Sequence, residues 1–224
     1  MKWRRRGAMS FVIGKRHALA AGLAKTDPAN EPSLSDHGLG LRLAIGYALL
    51  SAIGLGLSLG IRGASPFVHP EPWLALAPVV AASTSVALGV ALAFALTLAT
   101  RASALRFVWA SKLCTELRPF ARSLTPGQVL LVAGFSSLGE ELLFRGFLLP
   151  LVGIIASSVV FGLAHQMRGP SRWIWVIWAT AAGLAFGLIF RLTGSLVGPL
   201  VAHALTNLVN LGFLKTFEPS RPKS

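Results

Sequence analysis

Long apolar stretches constrain this chain more than any other feature. Six stand out, over residues 43–61, 74–100, 128–149, 151–165, 173–190 and 195–214. A helix that crosses a bilayer needs about 20 apolar residues. The fourth stretch is shorter than that, and Pro150 separates it from the third, so these two are expected to form a tight helical hairpin. Hydrophobic residues make up 54% of the 224 and charged residues only 13%, against about a quarter in soluble domains. That excludes a disordered chain, a coiled coil and an ordinary soluble enzyme. The fold expected is all-α, a polytopic membrane bundle of about six transmembrane helices. The single cysteine, Cys114, excludes an internal disulfide and a multi-cysteine metal site.

The formal charge of +13 would suggest nucleic acid in a soluble protein. Here the placement of the basic residues accounts for it. Arg62 and Arg191 fall on one side of the expected spans and Arg145 within one. Every other Lys and Arg falls on the opposite side. By the positive-inside rule that side is the cytoplasm. The chain is therefore expected in the cell membrane with both termini cytoplasmic and no nucleic-acid partner. Arginine outnumbering lysine, Ala/Leu-rich spans and small size suit a bacterial protein.

Residues 1–41 read as a cytoplasmic tail, because Lys15, Arg16 and His17 interrupt the apolar core that a signal peptide needs. Residues 42–100 hold two accessory spans. Residues 101–126 interleave Leu105, Phe107, Trp109 and Leu113 with spaced basic residues, as a helix on an anionic leaflet would. Residues 127–214 hold the remaining spans, and 215–224 a second cytoplasmic tail.

Of the eight acids only Glu140 and Glu141 lie within a span, and of the five histidines only His165 and His203 do. Ionisable groups in a bilayer are costly and are functional by default; the bland alternative is helix–helix glue. At a rise of about 1.5 Å per residue, Glu140 lies ~15 Å from Pro150 and His165 ~21 Å beyond Leu151. On the same count His203 and Asn207 lie ~13 and ~20 Å past Gly194. Three spans thus bring these groups to the middle of the membrane.

Adjacent residues on a helix diverge by about 100°, so Glu140 and Glu141 face differently. Arg145, four residues after Glu141, is its natural ion-pair partner, leaving Glu140 to face a cavity. Phe161 and His165 share a face, as do His203 and Asn207. A carboxylate, a histidine and a His/Asn pair suit hydrolysis by activated water, with donors for the oxyanion. Glu140, His165 and His203 could equally satisfy zinc with an open position, or relay protons in a transporter.

Glu140-Glu141-Leu-Leu-Phe-Arg145 reads EExxxR, Phe161-Gly-Leu-Ala-His165 reads FxxxH, and His203-Ala-Leu-Thr-Asn207 reads HxxxN. In this order, residues 127–212 closely resemble the four-helix core of the CPBP family of intramembrane endopeptidases, which includes type II CAAX prenyl proteases and Abi-type proteins. The resemblance implies that Glu140 activates water with the help of His165. It implies that His203 and Asn207 steady the oxyanion, and that Glu141, Arg145 and Phe161 support the site. A glutamic mechanism without a cofactor is favoured, with zinc as the alternative. The substrate implied is a membrane-anchored protein or peptide, CAAX-like or not. Two other readings compete. One is a non-enzymatic immunity or scaffolding protein of the same fold. The other is a proton-coupled transporter, disfavoured because the spans show no inverted repeat. The sequence has no HExxH helix and no membrane aspartate pair, and Gly134-Phe-Ser-Ser137 reads as packing rather than as a nucleophile.

Overall fold

The computed structural model describes residues 34–219. The expected N-terminal tail lies outside the described residues up to 33, and the end of the C-terminal tail lies outside them from 220. Helix α1 spans Leu34–Gly60, α2 Pro78–Arg106, α3 Val108–Ser123 and α4 Pro126–Glu141. A π-helical turn, Leu142–Leu148, leads into α5, Leu149–Ala164. Helices α6, Arg172–Thr193, and α7, Val197–Thr216, complete the bundle. Among the described residues the only extended pairing is an isolated bridge between Val68 and Ser195. The all-α polytopic bundle is the fold observed.

Among the described residues five helices are long and apolar enough to cross a membrane, one of them the continuous 39-residue run Pro126–Ala164. Straight, that run would place His165 about 37 Å from Glu140. Instead the His165 Nε2 lies 3.3 Å from Glu140 Oε2. The chain reverses at Gly153, whose φ of 83° and ψ of 171° break the helix in a region open essentially to glycine alone. The hairpin expected at Pro150 is therefore present but displaced. Pro150 sits where the π-helical turn passes into α5, in backbone that is still helical. Counted from Gly153, Glu140 and His165 lie about 20 and 18 Å away, so the two arms match in depth.

Local chemistry sets the other ends. Thr125 and Gln128 form a reciprocal capping box ahead of Pro126 and start α4. Gly194, at φ 78°, caps α6 in the left-handed conformation. α2 continues past the boundary expected at residue 100 and ends at Phe107, which turns extended. α3 then buries Ala110, Leu113, Cys114 and Ala121 and packs on α2 and α7.

The bundle closes through small residues. α2 runs along α7, and Gly89 lies so close to the Gly198 carbonyl that a Cβ there would clash. Ser85 Oγ accepts from Gly198 N–H at 3.0 Å and donates to the Ser195 carbonyl at 2.8 Å. α1 packs on α4 and the π turn, and α5 on α6. The link between α1 and α2 is tied to the α6–α7 turn, with His69 N–H donating to the Gly194 carbonyl (2.9 Å) and Leu196 N–H to that of Phe67 (3.0 Å). These contacts fix the start of α7, the helix that carries His203 and Asn207.

Candidate active site

A cavity of about 230 Å³ opens between α4, α5, α6 and α7 and is roofed by α3. Glu140, His165, His203 and Asn207 all line it. Glu140 comes from the last turn of α4, His165 caps α5, and His203 and Asn207 lie one turn apart on α7. Two imidazoles address one carboxylate oxygen: Glu140 Oε2 is 3.3 Å from His165 Nε2 and 3.8 Å from His203 Nε2. That oxygen is buried and has no closer hydrogen-bond partner.

The far nitrogen of each imidazole is held from behind. His165 Nδ1 is 2.8 Å from the Phe161 carbonyl, which can only accept, so Nδ1 carries a proton. His203 Nδ1 is 2.9 Å from Glu141 Oε1, an acceptor of the same kind. Both rings thereby turn Nε2 toward Glu140. The Phe161 ring packs on His165 (4.4 Å between centroids) and on His203 (5.8 Å, edge to face), and Phe186 stacks on His203 at 5.1 Å.

Glu141 and Arg145 form the expected ion pair, Oε1 to Nη1 at 2.9 Å, with both side chains fully buried. Arg145 Nη2 also donates to the Gly183 carbonyl at 3.0 Å, and its guanidinium lies 4.2 Å from the Phe161 ring centre. The π turn begins directly after Glu141 and carries Arg145. Such widened turns recur at functional sites.

Asn207 Nδ2 donates to Ser136 Oγ at 3.1 Å. Ser136 is a residue that the reading of residues 134–137 assigned to packing. It is buried, lines the cavity and stands one turn before Glu140 on α4, a spacing that would have flagged it. Tyr47 of α1 also lines the cavity, and nothing in the sequence singles it out. Cys114 lines it from α3, and burial pushes its thiol pKa up, away from the thiolate a cysteine nucleophile needs.

Two imidazole nitrogens and a carboxylate are donors that zinc accepts. Yet among the described residues no group of three or more His, Cys, Asp or Glu side chains is placed to hold a metal ion.

Comparison with known proteins places the chain's core. Residues 122–209 match the family model of the Rce1-like type II CAAX prenyl endopeptidases. That stretch runs from the end of α3 into α7 and holds all three motifs. The uncharacterized protein YpbD of Bacillus subtilis (strain 168) is 37% identical over 70 residues, 31% of this chain. Those residues span only 36% of YpbD's own length. No solved structure matches the chain. The resemblance to CAAX-type membrane proteases is thus borne out over residues 122–209, and the matched family is one of endopeptidases. Together with the five apolar spans, the match marks a multi-pass membrane protein.

Proposed function

We propose that the chain is an intramembrane endopeptidase that cleaves a membrane-anchored or CAAX-like substrate by direct attack of water. The observation that carries this reading is the convergence of His165 and His203, from two further helices, on an otherwise unpartnered oxygen of Glu140 inside the bundle. A water held in the cavity beside Glu140 and His165 loses its proton to Glu140 as its oxygen bonds to the substrate carbonyl carbon. The carbonyl electrons move to oxygen. Asn207 N–H and the His203 imidazole steady that oxyanion. Collapse breaks the C–N bond, and the departing amine takes the proton back from Glu140.

The reaction needs only protein groups and water. His165 holds the water and Glu140 in line, and Glu141 orients His203. Arg145 offsets the charge of Glu141, so that the second buried carboxylate costs less. On this reading both termini are cytoplasmic, in keeping with the basic residues gathered on that side of the spans.

The test compares protein termini in membranes of cells making the wild-type chain and Glu140→Gln at matched expression. Termini that appear only with wild type support the protease and name its substrates. Identical termini would favour a non-enzymatic protein of the same fold.

A further inference from the structure

The cavity extends beyond the catalytic groups. On α7 its lining continues from His203 through Thr206 and Asn207 to Asn210, one face at spacings of three, four and seven residues. The last of these lies about 10 Å along the helix from His203, the length of about three residues of extended chain.

Two polar atoms on this strip are buried without a hydrogen-bond partner, Thr206 Oγ1 and Asn210 Oδ1. Such atoms are expensive unless something pairs with them. The orientation of the Asn210 amide follows from the protons available. Thr100 spends its only hydroxyl hydrogen on the Leu96 carbonyl, at 2.9 Å. Its oxygen can therefore only accept from Asn210, whose Nδ2 lies 3.3 Å away. Thr100 thus binds the amide end of Asn210 and leaves Oδ1 as a fixed, unused acceptor. One turn earlier, the Thr206 hydroxyl is an unused donor. The lining also holds three tryptophans, Trp109, Trp175 and Trp178.

We propose that Asn210 and Thr206 form a subsite for the main chain of the substrate. Asn210 Oδ1 accepts one backbone N–H two or three residues from the cleaved bond, and Thr206 donates to one backbone carbonyl one or two residues from it. The ligand class is an extended peptide segment, laid with its polar backbone on α7 and its apolar side chains toward the tryptophans. Thr100 is a positioning residue. The subsite rests on the protease reading above.

The probe is a synthetic peptide spanning the most abundant Glu140-dependent cleavage site, with each backbone amide replaced in turn by an ester. It is tested on the purified full-length chain in lipid nanodiscs. In wild type, one ester two or three residues from the cleaved bond raises KM roughly three- to tenfold, the loss of one hydrogen bond. In Asn210→Ala, KM with the all-amide peptide rises by the same factor, and that ester has no further effect. Thr206→Val raises KM without lowering the melting temperature, because no internal hydrogen bond is lost. A merely structural role would move Tm instead. Equal responses of wild type and Asn210→Ala to every ester, or a wild-type KM in both variants, would overturn the subsite. Absence of any Glu140-dependent terminus would instead overturn the protease reading, and the subsite with it.

Discussion

His203 Nδ1 lies 2.9 Å from Glu141 Oε1, the same oxygen that pairs with Arg145. The acid beside the proposed base therefore orients an imidazole from another helix, and a single buried carboxylate oxygen links α4, the π turn and α7. One helical step turns Glu141 to Arg145 and His203 Nδ1, and Glu140 to His165 and His203 Nε2.

Glu141→Gln removes that link. It strands the Arg145 guanidinium in the core, and breaking a buried pair in this way costs about 3–5 kcal/mol. Melting in nanodiscs should drop sharply and cleavage should fall with it. Replacing both charges, as Glu141→Gln with Arg145→Met, should recover most of the melting temperature but not the activity, since His203 still lacks its orienting carboxylate. A Glu141→Gln protein with wild-type melting would show that the ion pair does not hold the core.

The turn at Gly153 and the proline three residues earlier make opposite predictions. Gly153→Ala forces a side chain into a conformation reserved for glycine, at a cost of about 1–3 kcal/mol. It should also move His165 away from Glu140, lowering both melting temperature and activity. Pro150→Ala, in the first turn of α5, should leave both near wild type. Thermal melts and cleavage rates of the two variants separate a hinge at one site from a hinge at the other.

Much of this site was legible because ionisable groups are rare in apolar spans. Glu140, Glu141, His165 and His203 stand out by being there at all, and helical spacing pairs Glu141 with Arg145. The hairpin was legible too, but not its hinge: Pro150 and Gly153 both interrupt helices, and only the backbone angle at Gly153 tells which one turns the chain. The widened turn at Leu142–Leu148 has no residue signature. Ser136, Thr206 and Asn210 were missed because small polar residues in membrane helices mostly pack, and what distinguishes these is an absent or a distant partner.

Activity should survive exhaustive chelation. The purified chain, treated with a strong chelator and freed of it by gel filtration, should cleave its peptide at the untreated rate. Loss of activity restored by added zinc would instead establish a metal centre, with Glu140, His165 and His203 as its candidate ligands.

Outside the membrane, His69 should make stability depend on pH. It is buried in the link between α1 and α2, and burial, reinforced by Arg191 and then Arg62, pushes its pKa down to about 4. The unfolded chain keeps a value near 6.5, so between these limits it binds more protons than the folded one. Stability is then full above about pH 6.5 and declines as pH falls toward 4. Melting temperatures measured across that window should fall in wild type and fall less in His69→Asn. Parallel curves for the two would remove His69 from this role.

The central claim is that Glu140 activates the attacking water. It is tested most directly by the single-turnover cleavage rate of purified wild-type and Glu140→Gln protein in nanodiscs, on a peptide carrying a mapped cleavage site. The account predicts at least a hundredfold loss, roughly the lower range for removing a general base, with unchanged melting temperature. A Glu140→Gln rate within a few-fold of wild type would contradict it.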